Sequence, residues 1–339
     1  MRTLGLGFLA AITISAPGSA ETRLLDWSDL HGWANDDHAQ ALEVFLETCG
    51  DLSDGDWPAI CAVAHKIGEP RTFFEAFFRP VLIRDGEAPL FTGYYEPELV
   101  GSRQSSDRFQ FPLYRRPDDI PEGTPWLTRE EIESSGILAD RGLEIVWLED
   151  PVEKFFLQVQ GSGRIRLHEG GSIRVGYGGK NGHPYRSVGV ELVRRGEFEE
   201  HQVSANTIRN WVRGNPGSGP QLLWHNPSYV FFREVSQVPA DKGPLGAMNR
   251  SITAGRTVAV DPEFVPLGAP VWIEKEGRSP LRRLMVAQDT GAAIKGAQRA
   301  DIFYGTGEDA GDIAGMIRDR GRMVVLLPVS AALELTDGK

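Results

Sequence analysis

The chain has 339 residues, 41% of them hydrophobic, and a formal net charge of −11. That length suits about two domains, and the apolar content gives each of them a core. The acidic balance excludes a nucleic-acid-binding face, which needs clustered Lys and Arg. It does not exclude a saccharide, which is read by hydrogen bonds and ring stacking.

Residues 1–20 (MRTLGLGFLAAITISAPGSA) carry one basic side chain, a short apolar run and small residues before Glu21. This reads as a cleaved signal peptide rather than a membrane span. No Cys follows the apolar run, so the expectation is a soluble periplasmic protein rather than a lipid-anchored one. Cys49 and Cys61 are the only cysteines. In an oxidising compartment a pair this close reads as a disulfide, worth roughly 3 kcal/mol in the chain-entropy picture. The alternative is two buried thiols. No CxxC or Cys/His cluster suggests zinc.

Residues 36–50 place Ala41, Leu42, Val44 and Phe45 at helical spacing, and 58–67 and 71–78 also read helical. Residues 80–95 turn to β structure, with a tight turn at Asp85-Gly86. Polar residues 101–108 form a loop, and 112–125, rich in Pro and charge, read as irregular surface. Thr128 with Glu131 makes a capping box for a helix over 128–135. Strands are expected at 143–148, 155–159, 164–167 and 172–175, and helices at 188–195 and 204–213. The segment 214–220 is a Gly/Pro loop. From Gly243 the chain returns to β structure, then gives a helix over 308–318, with Ala310, Ile313, Ala314 and Ile317 on one face, and a strand over 322–327. No solenoid repeat is visible. The division that follows is residues 21–101 with 241–339 as one discontinuous domain, and 102–240 as an inserted β-rich domain.

Three carboxylates punctuate the last third. Asp261 and Asp289 end apolar runs (TVAV and LMVAQ), and Asp301 opens another (IFY). Each taken alone fits turn chemistry, because an Asp side chain bonds backbone two residues on. Three in one β segment around a Gly-rich loop also fit a cluster held at strand mouths. Hard-cation loops pack their ligands closer in sequence than this, so a metal role is the weaker reading.

The segments AVDPEFVPLGAPVWI (259–273), DTGAAIKG (289–296), ADIFYGTG (300–307) and GRMVVLLP (321–328) resemble the three-aspartate domain of the membrane-bound lytic murein transglycosylase A family. GYYEPEL (93–99), FQFPLYRRP (109–117), FFLQVQGSGRIRL (155–167), VGYGGKNGHPYRSVG (175–189) and NPSYVFFRE (226–234) are similar to that family in the same order. The resemblance implies a mainly β (α+β) fold: a six-stranded double-psi β-barrel, a smaller inserted β-rich domain and a helical N-terminal part, with a substrate groove between the domains.

It also implies a chemistry. Glycosidic cleavage ordinarily takes two carboxylates. A lytic transglycosylase works with one, which protonates the leaving oxygen and then takes the proton of the sugar's own C6 hydroxyl as that group attacks C1. By resemblance Asp301 is this acid/base and Asp289 its partner, raising its pKa by like-charge repulsion. Asp261 is either a site member or the cap of the Asp-Pro turn. Lys295 either steadies Asp289 or is solvated.

Gln158, Gln160 and Ser162, on a strand and turn with alternating exposure, are expected to face a sugar; the alternative is a strand that merely exposes polar residues. Tyr94 and Tyr95 point opposite ways, one of them into core. Tyr177, Asn181, His183 and Tyr185 lie in a Gly-rich loop, and Met248 and Asn249 are groove candidates. No nucleophile elbow surrounds Ser162 or Ser187, so a triad with His183 is excluded. No cofactor or metal is implied. We expect a monomer that binds peptidoglycan glycan strands, with murein synthases or divisome proteins as candidate partners. A water-using inverting glycanase with Asp289 as base and a murein-binding module without turnover are the competing readings.

Overall fold

The computed structural model describes residues 20–121, 123–239, 242–277 and 279–337. The signal-peptide reading falls, apart from Ala20, outside these residues. Strand β1 (Glu21–Leu24) is followed by helices α1 (His38–Thr48), α2 (Trp57–Ala64) and α3 (Pro70–Phe77), then strands β2 (Phe78–Arg84) and β3 (Leu90–Glu96). The middle of the chain gives β4 (Glu98–Ser102), β5 (Phe111–Tyr114), α4 (Arg129–Ser135), β6 (Glu144–Leu148), α5 (Pro151–Gln160), β7 (Gly163–Leu167), β8 (Ser172–Lys180), α6 (Val188–Arg194), α7 (Ala205–Gly214), α8 (Gly219–Trp224) and β9 (Val230–Val235). The last part gives β10 (Thr257–Val260), β11 (Pro270–Lys275), β12 (Leu281–Asp289), β13 (Arg299–Thr306), α9 (Glu308–Gly315), β14 (Arg318–Asp319), β15 (Gly321–Pro328) and α10 (Val329–Asp337).

Two sheets result. The first runs β1-β2-β15-β11-β12-β10-β13-β3-β14 and curls into a nearly closed six-stranded barrel. Its pairings are antiparallel except β10–β12 and β13–β3. Its strands are apolar at nearly every position because both faces are covered. Val271, Ile273, Met285, Ala287, Met323 and Val325 fill one cluster, with Val258, Val260, Ala300 and Ile302. Their alternates Trp272, Leu284, Val286, Val324 and Leu326 join the other, against Phe45 of α1, Ile60 of α2 and Phe73 and Phe74 of α3. Period-2 alternation thus sorts one set into the barrel and the other under the helices. Cys49 and Cys61 form a disulfide that ties the end of α1 to α2. Asp85-Gly86 is a turn, with Gly86 at φ +89°, but β2 and β3 are not sheet neighbours, so it closes no hairpin.

The second sheet runs β5-β6-β4-β7-β8-β9 and contains every strand from Glu98 to Val235. One face packs on Leu157 of α5, and α5 packs further against α6, α7 and α8. This middle region therefore holds five helices as well as six strands. The strand expected at 155–159 is the body of α5. Asp150 caps it, with its Oδ1 accepting from the Val152 N–H at 2.7 Å, Pro151 stands at the first helical position, and Gly161 ends it in the left-handed region. Residues 112–114, expected to be irregular, belong to β5.

α9 lies on β3 through its small residues. A Cβ on Gly93 would come within 2.8 Å of Ala314 Cα, and one on Gly311 within 2.7 Å of the Tyr95 ring. Ala310 and Ala314 are buried as expected, whereas Ile313 is 46% exposed. Ile317 lies past the end of the helix. The close approach needs small side chains, so the larger ones turn outward.

Candidate active site

Ala259 on β10 is the register partner of Asp301 on β13 and of Asp289 on β12. Residues directly opposite one another share a face of a sheet. The two carboxylates therefore leave the same face, two strand spacings apart, about 10 Å between backbones. Val258, Val260, Ala300 and Ile302, on either side in sequence, belong to the barrel interior, so this face is the outer one. A register shift between Val258 and Ala259 makes Asp289 rather than Gln288 the partner of Ala259. Gln288 instead turns under α1, hydrogen-bonding Thr257 and the Val44 carbonyl. The bulge re-aims the carboxylate, a common use of bulges.

β3 supplies a donor to each acid. Thr92 Oγ1 donates to Asp301 Oδ1 at 2.6 Å, and the Tyr94 hydroxyl donates to Asp289 Oδ2 at 2.8 Å. Arg299 Nη2 donates in turn to Thr92 Oγ1 at 2.9 Å. Asp289 Oδ1 also accepts the N–H groups of Ala247 and Thr290, both at 2.9 Å. Burial pushes the Asp289 carboxyl up to about 6, with the Asp301 charge adding to it, against the lowering by Tyr94 and the two N–H groups. Burial also raises Asp301, opposed by the Thr92 hydrogen bond and the Arg299 charge. Two carboxyls that feel each other's charge titrate as a pair rather than singly. Hydrogen bonds to the charged form favour that form. Asp289 has three such donors and Asp301 one, so the hydrogen bonds favour the negative charge on Asp289, while burial opposes it. Burial first, then both carboxylates, hold the Tyr94 phenol well above its ordinary value, which keeps it a donor.

Asp261 is almost fully buried behind this pair. Its Oδ2 accepts from the Gly296 N–H at 2.9 Å, and its Oδ1 from Lys295 Nζ at 3.1 Å and the Glu263 N–H at 3.3 Å. Burial raises its carboxyl, but these donors outweigh it and hold it below its ordinary value. Asp261 thus caps its own Asp-Pro turn and pins the loop joining Asp289 to Asp301. Lys295 pairs with Asp261, not with Asp289.

The remaining sequence-derived candidates divide. Gln158 is buried on α5, bonding Arg129 at 2.6 Å and the Val230 carbonyl at 2.8 Å. It cannot face a sugar together with Gln160, because residues two apart on a helix point away from each other. Gln160, at the end of α5, accepts from the Tyr95 N–H at 3.2 Å, where the two sheets meet. Ser162 lies in the turn that follows, half-buried. Tyr94 faces Asp289. Tyr95 is not core either: its ring meets Gly311 and its hydroxyl accepts from Arg209 at 3.2 Å. Tyr177 on β8 is 53% exposed. Arg233 joins it to the other sheet, donating to the Tyr177 carbonyl at 3.3 Å and to Asn249 Oδ1 at 3.1 Å. Asn249 has a left-handed backbone, and Met248 N–H donates to the Gln288 carbonyl next to Asp289. Asn181 and His183 are bound to loop backbone of the same middle region: Asn181 to Leu127, Pro227 and Tyr229, His183 to Trp126.

Four contributors went unread in the sequence: Thr92, Arg299, Glu96 and the Ala247 N–H. Glu96, fully buried, receives Arg164 at 2.9 Å, Arg174 at 2.7 Å and Thr306 at 2.8 Å, clamping the two sheets together. The available signal was TGYYE (92–96): on a strand, Thr92, Tyr94 and Glu96 fall on one face. Among the described residues no group of three His, Cys, Asp or Glu side chains converges as a metal site.

Residues 90–233 match the family described as the MltA specific insert domain, and residues 256–327 match the 3D domain. The membrane-bound lytic murein transglycosylase A of Escherichia coli K12 is 35% identical over 259 residues, 73% of this chain and 68% of that protein. The crystal structure of a membrane-bound lytic murein transglycosylase from Agrobacterium tumefaciens superposes with a TM-score of 0.83 at 31% identity, covering 92% of this chain and 99% of that one. The E. coli MltA structure with bound chitohexaose gives a TM-score of 0.71 at 29% identity, covering 88% and 90%.

Proposed function

The chain belongs to the membrane-bound lytic murein transglycosylase A family, enzymes acting on peptidoglycan, and from that premise we propose that it cleaves the β-1,4 bond between N-acetylmuramic acid and N-acetylglucosamine without water. Asp301 protonates the leaving glycosidic oxygen. Positive charge then develops at C1 and O5 of the muramyl ring, facing the negative charge held on Asp289. The ionised Asp301 next takes the proton of the C6 hydroxyl as that oxygen attacks C1. One bond to C1 breaks and one forms, the proton returns to Asp301, and a 1,6-anhydromuramyl end results. The nucleophile is tethered to the electrophile, so its effective concentration is high.

The observation that carries this reading is the unequal treatment of the two carboxylates. Both Asp289 oxygens are occupied by donors, Oδ2 by Tyr94 and Oδ1 by two backbone N–H groups. Asp289 is therefore built to stay charged, not to deprotonate a water, which counts against a hydrolytic mechanism with Asp289 as base. We read residues 21–101 with 241–339 as the catalytic domain and 102–240 as the insert, with a glycan strand lying along their junction past Gln160, Ser162, Tyr177, Met248 and Asn249. No helix among the described residues is long and apolar enough to cross a membrane. We read the reaction as periplasmic, a reading supported by the murein substrate in the relatives' name.

The test is the mass of muropeptides released from purified sacculi. Products one water lighter than hydrolytic fragments are expected. Products carrying that water would overturn the single-acid mechanism in favour of a hydrolase. No release, with binding to sacculi intact, would make the chain a binding module.

A further inference from the structure

We propose that Arg299 and Thr92 form a positioning relay that fixes the catalytic proton of Asp301 on its Oδ2. The inference rests on the reading of Asp301 as the acid/base and extends it to a single atom.

Thr92 Oγ1 has one hydrogen and stands between two partners. A guanidinium has only donors, so the 2.9 Å contact from Arg299 Nη2 consumes acceptor capacity of Thr92. The Thr92 hydrogen is then committed to Asp301 Oδ1, at 2.6 Å. An oxygen already receiving a hydrogen along this line is the poorer seat for the carboxyl proton, which goes to Oδ2. Arg299 cannot swing away, because its Nη1 donates to the Ala300 carbonyl at 2.6 Å and the Leu90 carbonyl at 3.4 Å. The strand pairing fixes all of this in the backbone: Arg299 is opposite Leu90, and Asp301 opposite Thr92.

The same arrangement serves both halves of the reaction. When Asp301 is neutral, Oδ2 presents the proton to the glycosidic oxygen. When Asp301 is ionised, the Thr92 donor and the Arg299 charge steady Oδ1, and Oδ2 is free to take the C6 hydroxyl proton. One oxygen gives and receives, so the carboxyl need not rotate between steps. Without Arg299 the Thr92 hydroxyl could turn and accept from Asp301, placing the proton on the oxygen turned toward β3.

The test uses the full mature chain on soluble glycan oligomers, with kcat, KM and the pH profile as readouts. Thr92→Val is expected to lower kcat about 10- to 100-fold, the scale of a lost hydrogen bond to a charged group, with KM within about twofold. Its descending pH limb moves to higher pH, because the ionised Asp301 has lost its donor. Thr92→Ser, which keeps the hydroxyl, restores most of kcat and the original limb. Arg299→Gln moves the limb in the same direction as Thr92→Val and gives a second reading should Thr92→Val fold poorly. A Thr92→Val enzyme with unchanged kcat and limb, or a Thr92→Ser enzyme as impaired as Thr92→Val, would overturn the relay. Asp301→Asn is run alongside. Cleavage within about tenfold of wild type in Asp301→Asn sinks the assignment of the acid itself, whereas a severely impaired Asp301→Asn beside an unaltered Thr92→Val sinks only the relay.

Discussion

Thr92 and Tyr94 stand two residues apart on β3, and each gives its hydroxyl hydrogen to a different carboxylate. A strand repeats its side-chain direction every second residue, so one short segment reaches both acids at once. Gly93 between them leaves the opposite face open for Ala314 and Tyr304. The two acids, carried by β12 and β13, are therefore biased by a third strand from a distant part of the sequence.

Removing the Tyr94 hydroxyl should move the pH profile. Burial raises both carboxyls, Asp289 to about 6, and the proposed reaction needs Asp289 ionised and Asp301 protonated, so a bell-shaped profile is expected. Tyr94→Phe deletes a donor to the ionised Asp289, so Asp289 ionises at higher pH and the ascending limb shifts upward by roughly a unit or less. Rate measurements from pH 4 to 8 on defined glycan oligomers check this; a downward shift would contradict the role given to the phenol.

The same carboxylates should cost stability where they are ionised. Burial raises the folded-state pKa of both above the unfolded value of 3.8. A raised carboxyl contributes stability below its unfolded pKa and loses it as pH climbs through the folded one. Asp301→Asn cannot ionise and escapes that loss. It is expected to reduce cleavage by about 10²- to 10⁴-fold, the usual contribution of a general acid. At the same time it should melt higher than the wild type at pH 7.5, with a smaller gap at pH 4. Thermal melts at the two pH values decide it, and a gap independent of pH would remove the electrostatic explanation.

Much of this site was legible where strand patterning and resemblance agreed. The apolar runs before Asp289 and after Asp301 are strands with both faces covered, and the acids lie where those runs placed them. What escaped depended on partners far away in sequence. Nothing local in QRAD (298–301) marks Arg299 as the neighbour of Thr92, and no propensity announces the bulge that turns Asp289 rather than Gln288 outward. The reading of 155–162 failed for a different reason. FFLQVQ alternates in polarity by accident, while Asp150-Pro151 and Gly161 are helix start and stop signals, and these won. Gln158 was consequently assigned to a surface when it belongs to the core of α5. For Lys295 the sequence leaves open a partnership with Asp289 or a solvated side chain, and its Nζ pairs with Asp261 while the side chain stays largely exposed.

Glu96 should matter more for holding the sheets together than for chemistry. Arg164 and Arg174 converge on it, and Arg174 is nearly buried. Glu96→Gln keeps the shape but leaves two guanidiniums facing each other without an anion. Breaking a buried ion pair from one side costs about 3–5 kcal/mol. Chemical denaturation should show a loss of that order, with Arg174→Met added to Glu96→Gln recovering part of it. A loss under about 1 kcal/mol would mean that the junction is held elsewhere.

Asp261 offers the opposite pH dependence to Asp289 and Asp301. Its donors hold its folded-state carboxyl below the unfolded value of 3.8 despite burial. A depressed carboxyl contributes stability above its unfolded pKa and loses it as pH falls through the folded one. Asp261→Ala strands the Gly296 N–H and frees Lys295, so it should destabilise by about 1–3 kcal/mol at pH 7, and the gap should shrink below about pH 4. Because the freed loop joins Asp289 to Asp301, kcat should fall while KM for glycan holds, in contrast to Asp301→Asn, where stability rises as activity is lost. Melts and kinetics on the same variants separate the two roles: an Asp261→Ala enzyme that is more stable than wild type at neutral pH would place Asp261 with the acids rather than with the scaffold.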